Sequence, residues 1–163
     1  MKTEIELIIF FNEQVPELLG KLIEETKPIW GTMDAQRVVE HLILGVKIGN
    51  GNIQIPVSKI DTKASKFKII SLLSDRPLPR DFQNPIMQKG LQTYVYSSLD
   101  EAKKMLLDEL KVFHLYFKNG DNITSVHNLF GELNYHEWLW FEYKHFMHHF
   151  MQFGLVPISE RIH

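Results

Sequence analysis

Lys144-His145-Phe146-Met147-His148-His149-Phe150-Met151-Gln152-Phe153-Gly154 is the stretch on which the reading of this chain turns. It continues an apolar run that opens at Asn134-Tyr135-His136-Glu137. There an asparagine is followed three positions later by glutamate, the logic of a capping box, and Gly154 supplies a stop. The pattern predicts one helix from Asn134 to Gly154. Trp138, Phe141, Glu142, His145, His148, His149 and Gln152 share one half of its wheel, and Trp140, Tyr143, Met147, Phe150 and Met151 the other. A helix apolar almost all round is buried on most sides, either centrally or at a subunit interface. His145 and His149 lie about 40° apart on one face. With that spacing one helix can give two imidazoles to a single metal ion. Glutamate does not follow the first histidine; Phe146 stands there, so the zinc-protease pattern is not met.

Working back along the chain, three more helices are predicted. Ser98-Leu99-Asp100-Glu101 is a second capping box, opening a helix that runs to about Lys118 before Asn119-Gly120-Asp121. Gly31-Thr32 offers a threonine cap, with Asp34 in the first turn, to a helix that ends near Gly49-Asn50-Gly51. The first helix reads from about Glu13 to Thr26, with Asn12 as cap, Pro16 in the first turn and Pro28 beyond the end. The fold class that follows is all-α, a four-helix bundle in a single domain covering 1–163. Between the second and third helices lies a long connection, Ile53 to Ser97. It holds Lys59, Lys63, Lys66 and Lys68, the apolar run Phe67 to Leu73, and Arg76-Pro77-Leu78-Pro79-Arg80. A connection of this length implies a crossover, a lid or a binding loop, with a short strand or helix inside it.

Composition sets the outer limits. A hydrophobic fraction of 44% with 23% charged residues is that of a soluble globular protein. A net charge of −2 gives no reason to expect nucleic acid or an acidic membrane as partner. Cysteine is absent, so there is no disulfide, thiolate ligand or catalytic thiol, and any sulfur chemistry needs a substrate that brings the sulfur. Lys2, Glu4 and Glu6 interrupt the apolar residues of the N-terminus, which does not read as a signal peptide. No apolar run approaches the ~20 residues of a membrane span. A cytoplasmic protein is expected.

A third ligand is sought among the remaining histidines. His41, in Gln36-Arg37-Val38-Val39-Glu40-His41-Leu42, sits in mid-helix with Gly45 one turn on, where another helix or a substrate can approach closely. On spacing alone it is either a core histidine bonded to a backbone carbonyl or a ligand. His114 shares a polar stripe with Lys111 and Lys118 and reads as solvated; His136 reads as surface, and His163 is terminal. His127 lies in the loop before the last helix, where it can approach the mouth of a site. His148, offset from His149, reads as a hydrogen-bonding or pocket-lining residue. Glu142 lies near His145 and His149 on the wheel. It is the candidate catalytic residue, as general base or as orienter of a ligand, against the alternative of a solvated or salt-bridged position.

The segment Trp30 to Leu42 resembles the one with which the DinB-like superfamily of metal-binding four-helix bundles supplies its first histidine. The stretch His145 to Gln152 resembles that superfamily's last-helix motif of histidine, two variable residues, paired histidines and glutamine. Arg76 to Pro85, His127-Asn128-Leu129-Phe130-Gly131-Glu132-Leu133 and Glu137-Trp138 look closest to one branch of unknown function within it. The resemblance implies an up-down-down-up bundle with the long crossover connection between helices two and three. It implies His41, His145 and His149 as ligands of a divalent metal ion, zinc or nickel, and a homodimer. It implies a metal-dependent hydrolase or a thiol-dependent transferase acting on a small-molecule substrate, without identifying that substrate; the basic residues of the connection suggest an anion, against the alternative of a solvated charged loop. The competing class is a non-catalytic metal-binding or stress-associated helical dimer, whose structural zinc would need a fourth protein ligand.

Overall fold

The structure, a computed structural model, describes residues 1–56, 62–80, 93–120 and 122–162. Lys59, Asp121, His163 and the part of the connection from Asp81 to Pro85 lie outside the described residues.

The first helical stretch begins at Glu4, not Glu13. Thr3 and Glu6 cap it reciprocally, and α1 (Glu4–Ile9) passes through a π-helical turn, Phe10–Gln14, into α2 (Val15–Lys21). The wider turn precedes Pro16, whose ring would clash with the carbonyl four residues back in a regular α-helix. α3 (Ala35–Gly49) is capped by Asp34, whose side chain accepts from Arg37 N–H. The connection carries α4 (Ala64–Phe67), which runs into a second π-helical segment, Lys68–Leu72. α5 (Leu99–Lys118) starts at Ser98, and α6 (Tyr135–Gln152) at Asn134, where the capping box is complete.

Between α5 and α6 the chain forms an antiparallel hairpin, β1 (Thr124–His127) with β2 (Gly131–Asn134), in which Ser125 faces Leu133 and His127 faces Gly131. The all-α, four-helix bundle expected from the periodicity is therefore corrected. The described residues form five helical stretches, counting α1 through α2 and α4 through Leu72 as one each, and a two-stranded sheet, a mixed architecture. The hairpin is held from outside itself. Ser125 Oγ donates to Gly49 O at the end of α3, and Trp138 Nε1 on α6 donates to Ser125 O at 3.2 Å.

The core gathers on α6. Trp138, Leu139 and Phe146 are fully buried, with Phe10 and Phe11 from the first stretch, Val39 and Val46 from α3 and Phe113 from α5 around them. The all-round apolar character of α6 is thus satisfied within the chain, and the helix is central. Its remaining face carries Trp140, Lys144 and His148, one turn apart. Trp140 Nε1 donates to Leu72 O at 2.7 Å; Lys144 Nζ donates to Ser71 O at 2.7 Å and Ser74 O at 3.0 Å; His148 Nδ1 lies 3.3 Å from Leu78 O. The three side chains bind the connection to α6 through its carbonyls. Among the described residues, no helix is long and apolar enough to cross a membrane.

Candidate metal centre

α3 supplies His41 and α6 supplies His145 and His149. Gly45 lets the two helices meet: a Cβ at that position would lie 3.2 Å from the His145 ring and 3.3 Å from Glu142 Oε1. The three rings form a near-equilateral triangle, His41 to His145 and to His149 both 4.8 Å and His145 to His149 5.0 Å between centroids. One nitrogen from each falls within 4.8 Å of the others, and His41 Nε2 and His145 Nε2 are 2.8 Å apart. Nitrogens sharing one ion at bonds of about 2.0–2.1 Å lie roughly 3–3.5 Å from one another, a spacing that falls between the 2.8 Å of the tightest pair and the 4.8 Å bound on the set.

The outer atoms of two rings are fixed. His149 Nδ1 is 2.7 Å from Gln152 Oε1, and Gln152 Nε2 donates to Trp30 O at 2.8 Å. With its amide nitrogen committed to a carbonyl, Gln152 presents an acceptor to His149, so Nδ1 carries the proton and Nε2 keeps a bare lone pair. Gly31, in the left-handed region at φ +78°, makes room for this link. A Cβ there would sit 2.6 Å from Gln152 Nε2. His145 Nδ1 lies 3.3 Å from Glu142 Oε2, behind the ring rather than on the edge that faces His41. His41 Nδ1 and Glu142 Oε1 are buried without a hydrogen-bond partner.

Burial governs the charges here. It pushes His145 down to about 4 and holds His41 and His149 well below the usual histidine range, with the neighbouring imidazoles adding to the effect. All three rings are neutral near pH 7, the form in which imidazole binds metal. Burial also pushes the Glu142 carboxyl well above the usual carboxylate range. The donor set fits a divalent ion, with convergent nitrogens on rings that burial keeps uncharged, outer-atom partners on two of three rings, and His41 only partly buried beside two buried ligands. No family model, curated protein or solved structure matches the chain.

The other histidines divide. His148 packs edge-on to Trp30 at 5.7 Å and beside His149 at 4.9 Å. His127 is buried among aromatic rings at the end of β1. His114, read as solvated, is instead half-buried, its Nδ1 2.6 Å from Tyr135 Oη and its ring against Phe11 and Phe113. Its stripe partners Lys111 and Lys118 are exposed; position 114 turns inward because Tyr135 and Phe11 close over it. The role of Gln152, and its link to Trp30, is carried by contacts that spacing within one helix cannot reveal.

Proposed function

We propose that His41, His145 and His149 hold one divalent metal ion, zinc or nickel, and that the protein is a metal-dependent hydrolase or thiol-dependent transferase acting on a small molecule. The observation that carries this reading is the convergence of three neutral imidazoles with no fourth histidine, aspartate or glutamate joining them among the described residues. A closed structural site would need that fourth ligand. Three neutral ligands leave the charge of a bound ion uncompensated; such an ion is a Lewis acid that brings bound water to a pKa of about 7 or holds a thiolate.

The chain's own residues prepare the site. Gln152 holds the tautomer of His149. Glu142, placed on the outer edge of His145, orients that ring by accepting from its Nδ1–H; this position favours an orienting role over that of a general base. The absence of cysteine means that a thiol, if one takes part, belongs to the substrate. The likeness of the histidine segments to the DinB-like superfamily supports the same ligand set. Elemental analysis of protein purified without a histidine tag or chelator, beside His41→Ala and His149→Ala, tests the assignment. About one equivalent of metal in the wild type and none in either variant is the expected result; a full equivalent retained by His149→Ala would overturn it.

A further inference from the structure

Glu40, Ile43, Leu44 and Lys47 follow one another at helical spacing and share a face of α3 turned roughly 130° from His41 and Gly45. With Ile53, Val95 and Tyr96 they line a cavity of about 150 Å³. Hydrogen bonds hold its walls in place. On one side Glu40 accepts from Val95 N–H at 3.0 Å and Tyr96 N–H at 3.1 Å, and Gln36 Nε2 donates to Tyr96 O at 2.8 Å. On the other, Ile53 N–H donates to Lys47 O at 2.9 Å. The cavity is thus preformed, with an aliphatic body from Ile43, Leu44, Ile53 and Val95. Its two charged residues differ in what they leave free. Glu40 Oε1 also accepts from Gln36 Nε2 at 3.0 Å, so both carboxylate oxygens are engaged. Lys47 Nζ has one ion pair among the described residues, to Glu109 Oε2 at 4.0 Å, too long for a hydrogen bond. Glu109 is itself served by Asn50 Nδ2 at 2.6 Å and Asn52 Nδ2 at 2.9 Å. An ammonium has three donors and no acceptor, so the unfilled valence at this cavity is a donor's.

We propose that this cavity is a second binding site, for a short aliphatic monocarboxylate whose chain lies among Ile43, Leu44, Ile53 and Val95 and whose head group meets Lys47 Nζ. A cavity of this volume takes a body of about six carbon atoms. The head group is a carboxylate because its charge-assisted bond to the ammonium is stronger than that of a neutral hydroxyl. An alkylammonium finds no free acceptor on Glu40 and is repelled by Lys47. The Lys47 side chain is 31% exposed, so a head group reaches it from solvent while the aliphatic chain is covered. The site lies on a different face of α3 from the histidines and stands whether or not they hold a metal.

The test titrates the full chain with three probes, hexanoate, 1-hexanol and hexylamine, followed by the methyl resonances of Ile43 and Ile53. The wild type is expected to bind hexanoate about tenfold more tightly than 1-hexanol, with hexylamine weakest. Lys47→Met, which keeps the aliphatic stem, should bind hexanoate no better than 1-hexanol. Val95 is 69% exposed and bonds Glu40 through its backbone, so Val95→Trp fills the cavity without removing that anchor and should bind none of the three. Methyl resonances unmoved by every probe, or moved as far in Val95→Trp, would overturn the site. Equal binding of hexanoate and 1-hexanol, or a preference for hexanoate that survives Lys47→Met, would overturn the ligand class. Should Lys47→Met fail to fold, the wild-type Lys47 ε-methylene resonance decides: it must move with hexanoate and stay with 1-hexanol, and any other pattern overturns the proposal.

Discussion

Gly45 sets how closely α3 approaches the His145 ring, and its substitution separates the centre from the fold. Gly45→Ala gains up to about 1 kcal/mol of helix propensity but presses a methyl group against His145. The expected outcome is a melting curve displaced by no more than that gain, with metal affinity reduced about 10–100-fold, measured by chelator competition. Gln152→Ala should lose affinity in the same range by freeing the His149 tautomer, while leaving His145 in place. His145 and His149 were legible as a pair from their spacing. His41 was not separable from a core histidine by that means, because its meaning depends on His145, 104 positions further along the chain. Gln152 could be placed on the correct half of the helix, but its bond to Trp30 spans 122 residues, and no local pattern reports it. His127 was expected at the mouth of a site and lies instead among aromatic rings, with the Leu129 N–H that fixes its tautomer invisible in the sequence.

The helix starts at Ser98 and Asn134 were the predicted caps, since a cap is a short-range event between a side chain and an amide three residues on; at α3 the cap is Asp34, which was placed in the first turn behind Thr32. The start at Thr3 was missed although Thr3 and Glu6 form the same box: the apolar run behind it, Leu7 to Phe11, has no clean helical spacing until the π-helical turn resets its phase. The hairpin was missed because its strands have four residues each, too few for alternation to show, and because Ser125 is held by Gly49 and Trp138 rather than by its neighbours. The connection was long enough to demand structure, but what fixes it is the row of donors on α6. Lys144 is fully buried with its ammonium on carbonyls of the connection, and burial pushes it down to about 8. Lys144→Met should therefore cost about 2–3 kcal/mol in urea denaturation. Amide exchange should accelerate first between Leu72 and Leu78; uniform acceleration across α3 and α6 would show that the row does not act on the connection in particular.

Several histidines are buried uncharged in one molecule, and its stability must depend on pH. Burial pushes His114 and His145 to about 4 and His127 to about 3, all below the unfolded value near 6.5. Between those values the unfolded chain binds more protons, so the stabilisation is complete above pH 6.5 and is lost as pH falls towards 4. The urea midpoint of the metal-free protein should drop over that window and stay level above it, and His114→Phe should make the drop shallower. Saturating metal should raise the midpoint, by about 2.7 kcal/mol at a free concentration 100 times the dissociation constant. The division of ligands between α3 and α6 carries a last consequence. A backbone cut anywhere in the connection leaves His41 on one fragment and His145 with His149 on the other. In a chain with no cysteine to bridge them, a bound ion is a detachable splint between two separately made pieces. Co-expressed halves, which also share the core, should co-purify, and their affinity for one another should fall when a chelator removes the ion.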